Sequence, residues 1–131
     1  MPKEVIQLKL GPRPAGDYSQ GWSVTGSRLV FLSGQVSVDA DGKPVGVGDI
    51  ALQTHTVLQN LQKVLKDAGA NLQDVIKLNI YVTNMADFQQ KTRDIRRNYF
   101  TGNFPASTLL EVKSLARPEF MLEIEAVAAV G

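Results

Sequence analysis

Glu123 and Glu125 are the residues of this chain best placed to do chemistry. They stand two apart in the run Phe120-Met121-Leu122-Glu123-Ile124-Glu125-Ala126-Val127-Ala128. In a strand, residues two apart share a face. Phe120, Leu122, Ile124, Ala126 and Ala128 then form one apolar face suited to lie under helices. Glu123 and Glu125 fall on the other face with Met121, Val127 and Ala129. A carboxylate among apolar neighbours on an interior strand is costly unless it is paired, hydrogen-bonded or protonated. Such surroundings raise its pKa toward the range of a general acid or base. The alternatives are solvated glutamates on an exposed edge strand, or structural ion pairs between subunits.

Composition narrows the remaining chemistry. There are no cysteines and one histidine, which excludes disulfides, thiolate metal sites, a cysteine nucleophile and a multi-histidine cage within one chain. Fourteen Lys and Arg against 13 Asp and Glu leave a net charge of +1, too little to collect nucleic acid or anionic lipid. No metal or cofactor is expected. His55 falls on the first helix between two threonines, beside its apolar stripe, and reads as a helix-surface histidine. Arg93, Arg96 and Arg97 share one face of the second helix. With Asp94 beside them they read as a solvated face rather than a phosphate site. The glycines at 11 and 16 lack the strand-loop-helix context of a phosphate cradle. No signal peptide and no apolar run of about 20 residues is visible, so a cytoplasmic protein without membrane contact is expected.

The elements that must carry these residues follow from periodicity. A length of 131 residues predicts a single domain, 1–131. Strands are predicted at 4–10, 22–25, 28–38, 75–83, 108–115 and 120–130, with a prolyl break at 11–16. The 28–38 strand is apolar on both faces, which predicts a central strand covered on both sides. Asp41-Gly42 marks a tight turn leading into 43–45. Asp49 caps a helix whose stripe is Ile50, Val57, Leu58, Leu61, Val64, Leu65 and Ala68, and Gly69 ends it. On 75–83, Ile76, Leu78, Ile80 and Val82 face one way, and Lys77, Asn79, Tyr81 and Thr83 the other. Asn84 caps a second helix that buries Phe88, Ile95 and Tyr99. The last two strands flank a turn at 116–118. Two helices cover one face of such a sheet and nothing in the chain remains for the other, so self-association through that face is expected.

Four segments in order, Asp17-Tyr18-Ser19-Gln20-Gly21, Leu32-Ser33-Gly34-Gln35-Val36, Phe104-Pro105-Ala106 and Glu123-Ile124-Glu125-Ala126-Val127-Ala128, resemble the RidA/YjgF family, also called the endoribonuclease L-PSP family. The resemblance spans almost the whole chain. It implies a chorismate-mutase-like α+β fold, a mixed sheet with two helices packed on one face, that trimerises through the other. It also implies a homotrimer with three clefts between subunits. The implied activity is hydrolysis of a small enamine or imine metabolite to a carbonyl compound and ammonia. In that scheme Glu123 orients or activates water, while Tyr18 and Ser33 form cleft wall, and the loop at 11–16 borders the cleft.

The resemblance also implies an arginine directly after the Pro-Ala pair, clamping a substrate carboxylate. Ser107 stands there. A hydroxyl is no counter-charge, so poor handling of small 2-imino acids is expected. Two alternatives follow for the ligand at Ser107. It is less anionic, or its cation comes from elsewhere, with Arg13, Arg93 and Arg117 as candidates. A non-catalytic, ligand-binding or regulatory trimer is the alternative function, and a ribonuclease a minor one.

Overall fold

The computed structural model describes residues 3–12, 14 and 16–131, and Arg13 lies outside them. Six strands and two helices run in the order β1 (Lys3–Ile6), β2 (Gly21–Val24), β3 (Arg28–Gln35), α1 (Ile50–Asp67), β4 (Val75–Val82), α2 (Met85–Tyr99), β5 (Ala106–Glu111) and β6 (Leu122–Val130). β1 and β2 form an antiparallel ribbon. The other four make a mixed sheet of order β3-β6-β4-β5, in which β4 and β5 are parallel and β6 is antiparallel to both its neighbours. Both helices pack on one face, so the architecture is α+β. No helix among the described residues is long and apolar enough to cross a membrane.

Local chemistry starts both helices. The Asp49 carboxylate accepts the Leu52 N–H at 3.0 Å, and the Asn84 side chain accepts the Asp87 N–H at 3.0 Å, each satisfying a donor the helix leaves unpaired. After α1, Gly69 adopts φ +75, the left-handed turn that a side chain disfavours. α1 buries Val57, Leu58, Leu61 and Leu65 completely against the sheet. Val64, expected in that stripe, lies at its margin and is 40% exposed. On α2 the buried positions are Phe88 and Thr92, with Ile95 and Tyr99 only half-buried.

Two expectations about the strands change. β3 is an edge strand, not a central one, with Phe31 74% and Leu29 44% exposed on the face turned from the helices. Its two-sided apolar pattern is therefore an uncovered face, and β6 occupies the interior position. On β4 the register slips between Val75 and Lys77, which puts Val75 rather than Ile76 into the core. The final two strands do not pair. β5 joins only β4, because the α2 crossover returns the chain parallel to β4, and β6 then crosses to the far side of β4.

A buried glutamine ties the helix layer to the entry of β6. Gln53 is fully buried on α1. Its Nε2 donates to the carbonyls of Gly46 (3.1 Å) and Glu119 (2.8 Å), and its Oε1 accepts the Met121 N–H at 2.9 Å. This clamp aligns the strand that carries Glu123. A leucine there preserves volume but orphans three backbone groups, each worth about 1–3 kcal/mol when buried without a partner. Gln53→Leu is expected to lower unfolding stability by roughly 2–4 kcal/mol, part of the loss being recovered by hydration; urea denaturation measures it.

Candidate functional site

β6 places its two glutamates on the face away from the helices, as its alternation requires. The neighbouring β4 presents Asn79 opposite Glu125 and Tyr81 opposite Glu123. Glu125 is engaged by both: the Tyr81 hydroxyl donates to its Oε1 at 2.5 Å and Asn79 Nδ2 at 3.3 Å. The Tyr81 phenol is pushed up from its ordinary value, first by that hydrogen bond, then by desolvation and by the charges of Glu125 and Glu123. Among the described residues, no hydrogen bond or ion pair engages Glu123. One glutamate is thus held in structure and the other is available.

Glu123 lies where it does because β3 lacks a side chain at one point. The pairing of β3 with β6 is irregular between Leu32 and Gln35, opening a bulge at Ser33-Gly34. The Glu123 side chain lies over Gly34: a Cβ there would fall 2.7 Å from its carboxyl carbon and 2.8 Å from its Cγ. Only a glycine leaves that space. Ser33, in the same bulge, lines a depression of about 270 Å³ with Phe31, Lys77, Asn79, Glu125 and Val127.

Tyr18 and Ser107 lie elsewhere. Ser107 pairs with Leu78, a core residue, so its side chain points to the helix side of β5. There it lines a cavity of about 380 Å³ with Tyr18, Ile80, Met85, Arg93 and Arg96. The Tyr18 loop is pinned from two directions. Asp17 accepts two hydrogen bonds from Arg97 of α2, at 2.6 and 3.3 Å. The Ser19 N–H donates to the Pro105 carbonyl at 3.0 Å, beside β5.

Within one chain, the four residues singled out from sequence therefore fall into two groups. Glu123 and Ser33 belong to the open face of the sheet, and Tyr18 and Ser107 to the cavity under α2. Of the candidate cations, Arg93 lines that cavity, whereas Arg117 pairs with Glu119 at 3.0 Å. His55 Nδ1 meets the Tyr99 hydroxyl at 3.0 Å and braces α1 against α2. Sequence reasoning missed Arg96 as a cavity residue, and Tyr81 and Asn79 as partners of Glu125. Alternation on β4 already set those two on one face, but the β4–β6 register that brings them to Glu125 is non-local. Among the described residues, no group of three or more His, Cys, Asp or Glu side chains is placed to hold a metal.

Comparison with known proteins bears on this arrangement. Residues 9–130 match the family model described as endoribonuclease L-PSP. The chain is 36% identical to a RutC family protein of Pyrococcus abyssi, over 98% of both chains. It is 33% identical to the 2-iminobutanoate/2-iminopropanoate deaminase of Mus musculus, over 98% of this chain and 93% of the relative. A crystal structure of a conserved Rid family protein of unknown function from Yersinia pestis superposes with a TM-score of 0.88 at 34% identity, covering 99% of this chain and 100% of the other.

The Tyr81–Glu125 contact gives a pH signature. Because the folded-state pKa of Tyr81 lies above the ordinary 10.0, its contribution to stability is complete below that value and is lost as pH rises through the raised pKa. In ultraviolet titration, one late-ionising tyrosine is expected, absent in Tyr81→Phe. Glu125→Gln should move its midpoint down toward 10.0.

Proposed function

This chain belongs to the endoribonuclease L-PSP family, together with the RutC and Rid proteins, and we propose that it hydrolyses a small enamine or imine to a carbonyl compound and ammonia, with Glu123 activating the water. The observation that carries this reading is the contrast between the two glutamates. Glu125 is occupied by Tyr81 and Asn79, while Glu123 rests against Gly34 with no partner among the described residues. A carboxylate so placed can accept a proton from water. The relationship to 2-iminobutanoate/2-iminopropanoate deaminases supports a C=N substrate.

The chemistry needs little else. A protonated imine carbon is already electrophilic. Water attacks it while Glu123 takes one water proton, giving a carbinolamine. Glu123 returns that proton to the nitrogen, and as the C–N bond breaks the carbinolamine hydroxyl gives its own proton to Glu123. The carbonyl compound and ammonia leave, that last proton passes to solvent or to the ammonia, and one water is consumed for each nitrogen released. Positioning the water supplies much of the rate.

In this proposal the working unit is a homotrimer joined through the open sheet face, where Phe31 and Leu29 are exposed. Its clefts bring the Glu123 face of one subunit to the Tyr18 and Ser107 cavity of the next. Mixed trimers of a Glu123 variant and a Tyr18 variant would then regain some activity that neither has alone. Ser107 stands where the resemblance implies a clamping arginine, and so alters the range of imines accepted.

Ammonia release from imines generated by an amino-acid oxidase tests the reading. Glu123→Gln is expected to lower turnover by about 10²–10⁴-fold. Gly34→Ala keeps the carboxylate but displaces it, and is expected to cost on the order of 10²-fold. Wild-type protein that accelerates ammonia release from none of a broad imine panel would sink the hydrolytic assignment.

A further inference from the structure

The cavity beneath α2 holds more positive charge than the fold itself uses. Arg97 is committed to Asp17. Arg96, one residue earlier, is half-buried with its guanidinium 4.5 Å from the centre of the Phe88 ring. Its Nε donates to Thr92 Oγ1 at 3.2 Å, and among the described residues it has no ion-pair partner. Desolvation holds its pKa below the ordinary arginine value. The charge of Asp17 opposes that shift, and the charges of Arg93 and Arg97 add to it. Arg93 stands one turn before Arg96 on the same wall, and among the described residues no carboxylate pairs with it. A half-buried guanidinium that remains charged is costly unless an anion compensates it. Arg96 is such a group, the exposed Arg93 lines the same cavity, and the Asp17 carboxylate that also lines it is engaged by Arg97.

The remaining walls narrow the ligand. Ile80, Met85 and Leu109 supply apolar surface, and the Ser107 hydroxyl can donate or accept. A cavity of about 380 Å³ suits a small molecule. We propose that Arg93 and Arg96 of α2 form the carboxylate-binding subsite of this protein, holding a small organic acid with a short apolar chain against Met85 and Leu109. A guanidinium fork matches a carboxylate with two parallel hydrogen bonds. The substrate class, a 2-imino acid rather than a neutral imine, rests on the hydrolytic reading above. The anion subsite itself does not.

Binding separates the two. The probes are 2-oxobutanoate and its uncharged amide, titrated into full-length protein and followed by NMR chemical shifts. Wild type is expected to bind the carboxylate about tenfold more tightly than the amide, the worth of one charge-assisted hydrogen-bond pair. Arg93→Gln should erase most of that preference, and Arg96→Gln the rest. Because Arg96 packs on Phe88, Arg93→Gln decides the matter should Arg96→Gln not fold. Equal binding of the two probes by wild type would overturn the subsite. So would an undiminished preference in Arg93→Gln, or inorganic phosphate binding more tightly than the carboxylate. A carboxylate preference without turnover supports the subsite and counts against hydrolysis; turnover without the preference does the reverse.

Discussion

The constraint on which the rest of the molecule depends is the two-residue period of β6 in the interior of the sheet. One face must be apolar, because α1 and α2 cover it, and Leu122, Ile124, Ala126 and Ala128 are buried there. The alternate positions are then forced outward together, so Glu123 and Glu125 share a face by geometry. A slip of one residue would drive both carboxylates into the core. The Gln53 clamp at Met121 and the pairing with two neighbouring strands hold the strand against such a slip.

Sharing a face does not give the two carboxylates one role. Cross-strand neighbours differ at the two positions, and they divide the work. Glu125 finds hydroxyl and amide donors on β4, which cover the desolvation cost of a partly buried charge. Glu123 leans to the opposite side, over β3, where the bulge and Gly34 leave room for it. The close approach is cheap only because no Cβ is present. Bulges at sheet edges commonly serve to re-aim a side chain, and here the side chain re-aimed belongs to the neighbouring strand.

The opposite layer follows a different logic. α2 is a crossover between parallel strands, so it must lie across β4 and reach toward β5. Its basic residues are thereby carried over the cavity that Ser107 lines. Arg97 is spent in fixing the Asp17-Tyr18 loop, whereas Arg96 and Arg93 face the cavity. The same helical spacing that reads as a solvated basic face becomes, once the loop closes over it, a wall of a pocket. A near-neutral total charge conceals this, because +1 for the whole chain is compatible with a locally positive cavity.

What the sequence by itself determined was local. The caps at Asp49 and Asn84, the left-handed end at Gly69 and the two faces of β6 all follow from torsional preference and side-chain period within a few residues. The α+β class was legible there too. Tertiary structure alone decided which strand is interior. β3 carries the more continuous apolar run, yet strand order is set by crossovers and not by local hydrophobicity, so β3 became an edge. It also decided that Gly34 lies beneath Glu123, that Tyr81 reaches Glu125, and that Arg96 stands above Ser107. Each of these meetings joins residues from separate elements, and the register and packing that create them have no counterpart in any short stretch of chain.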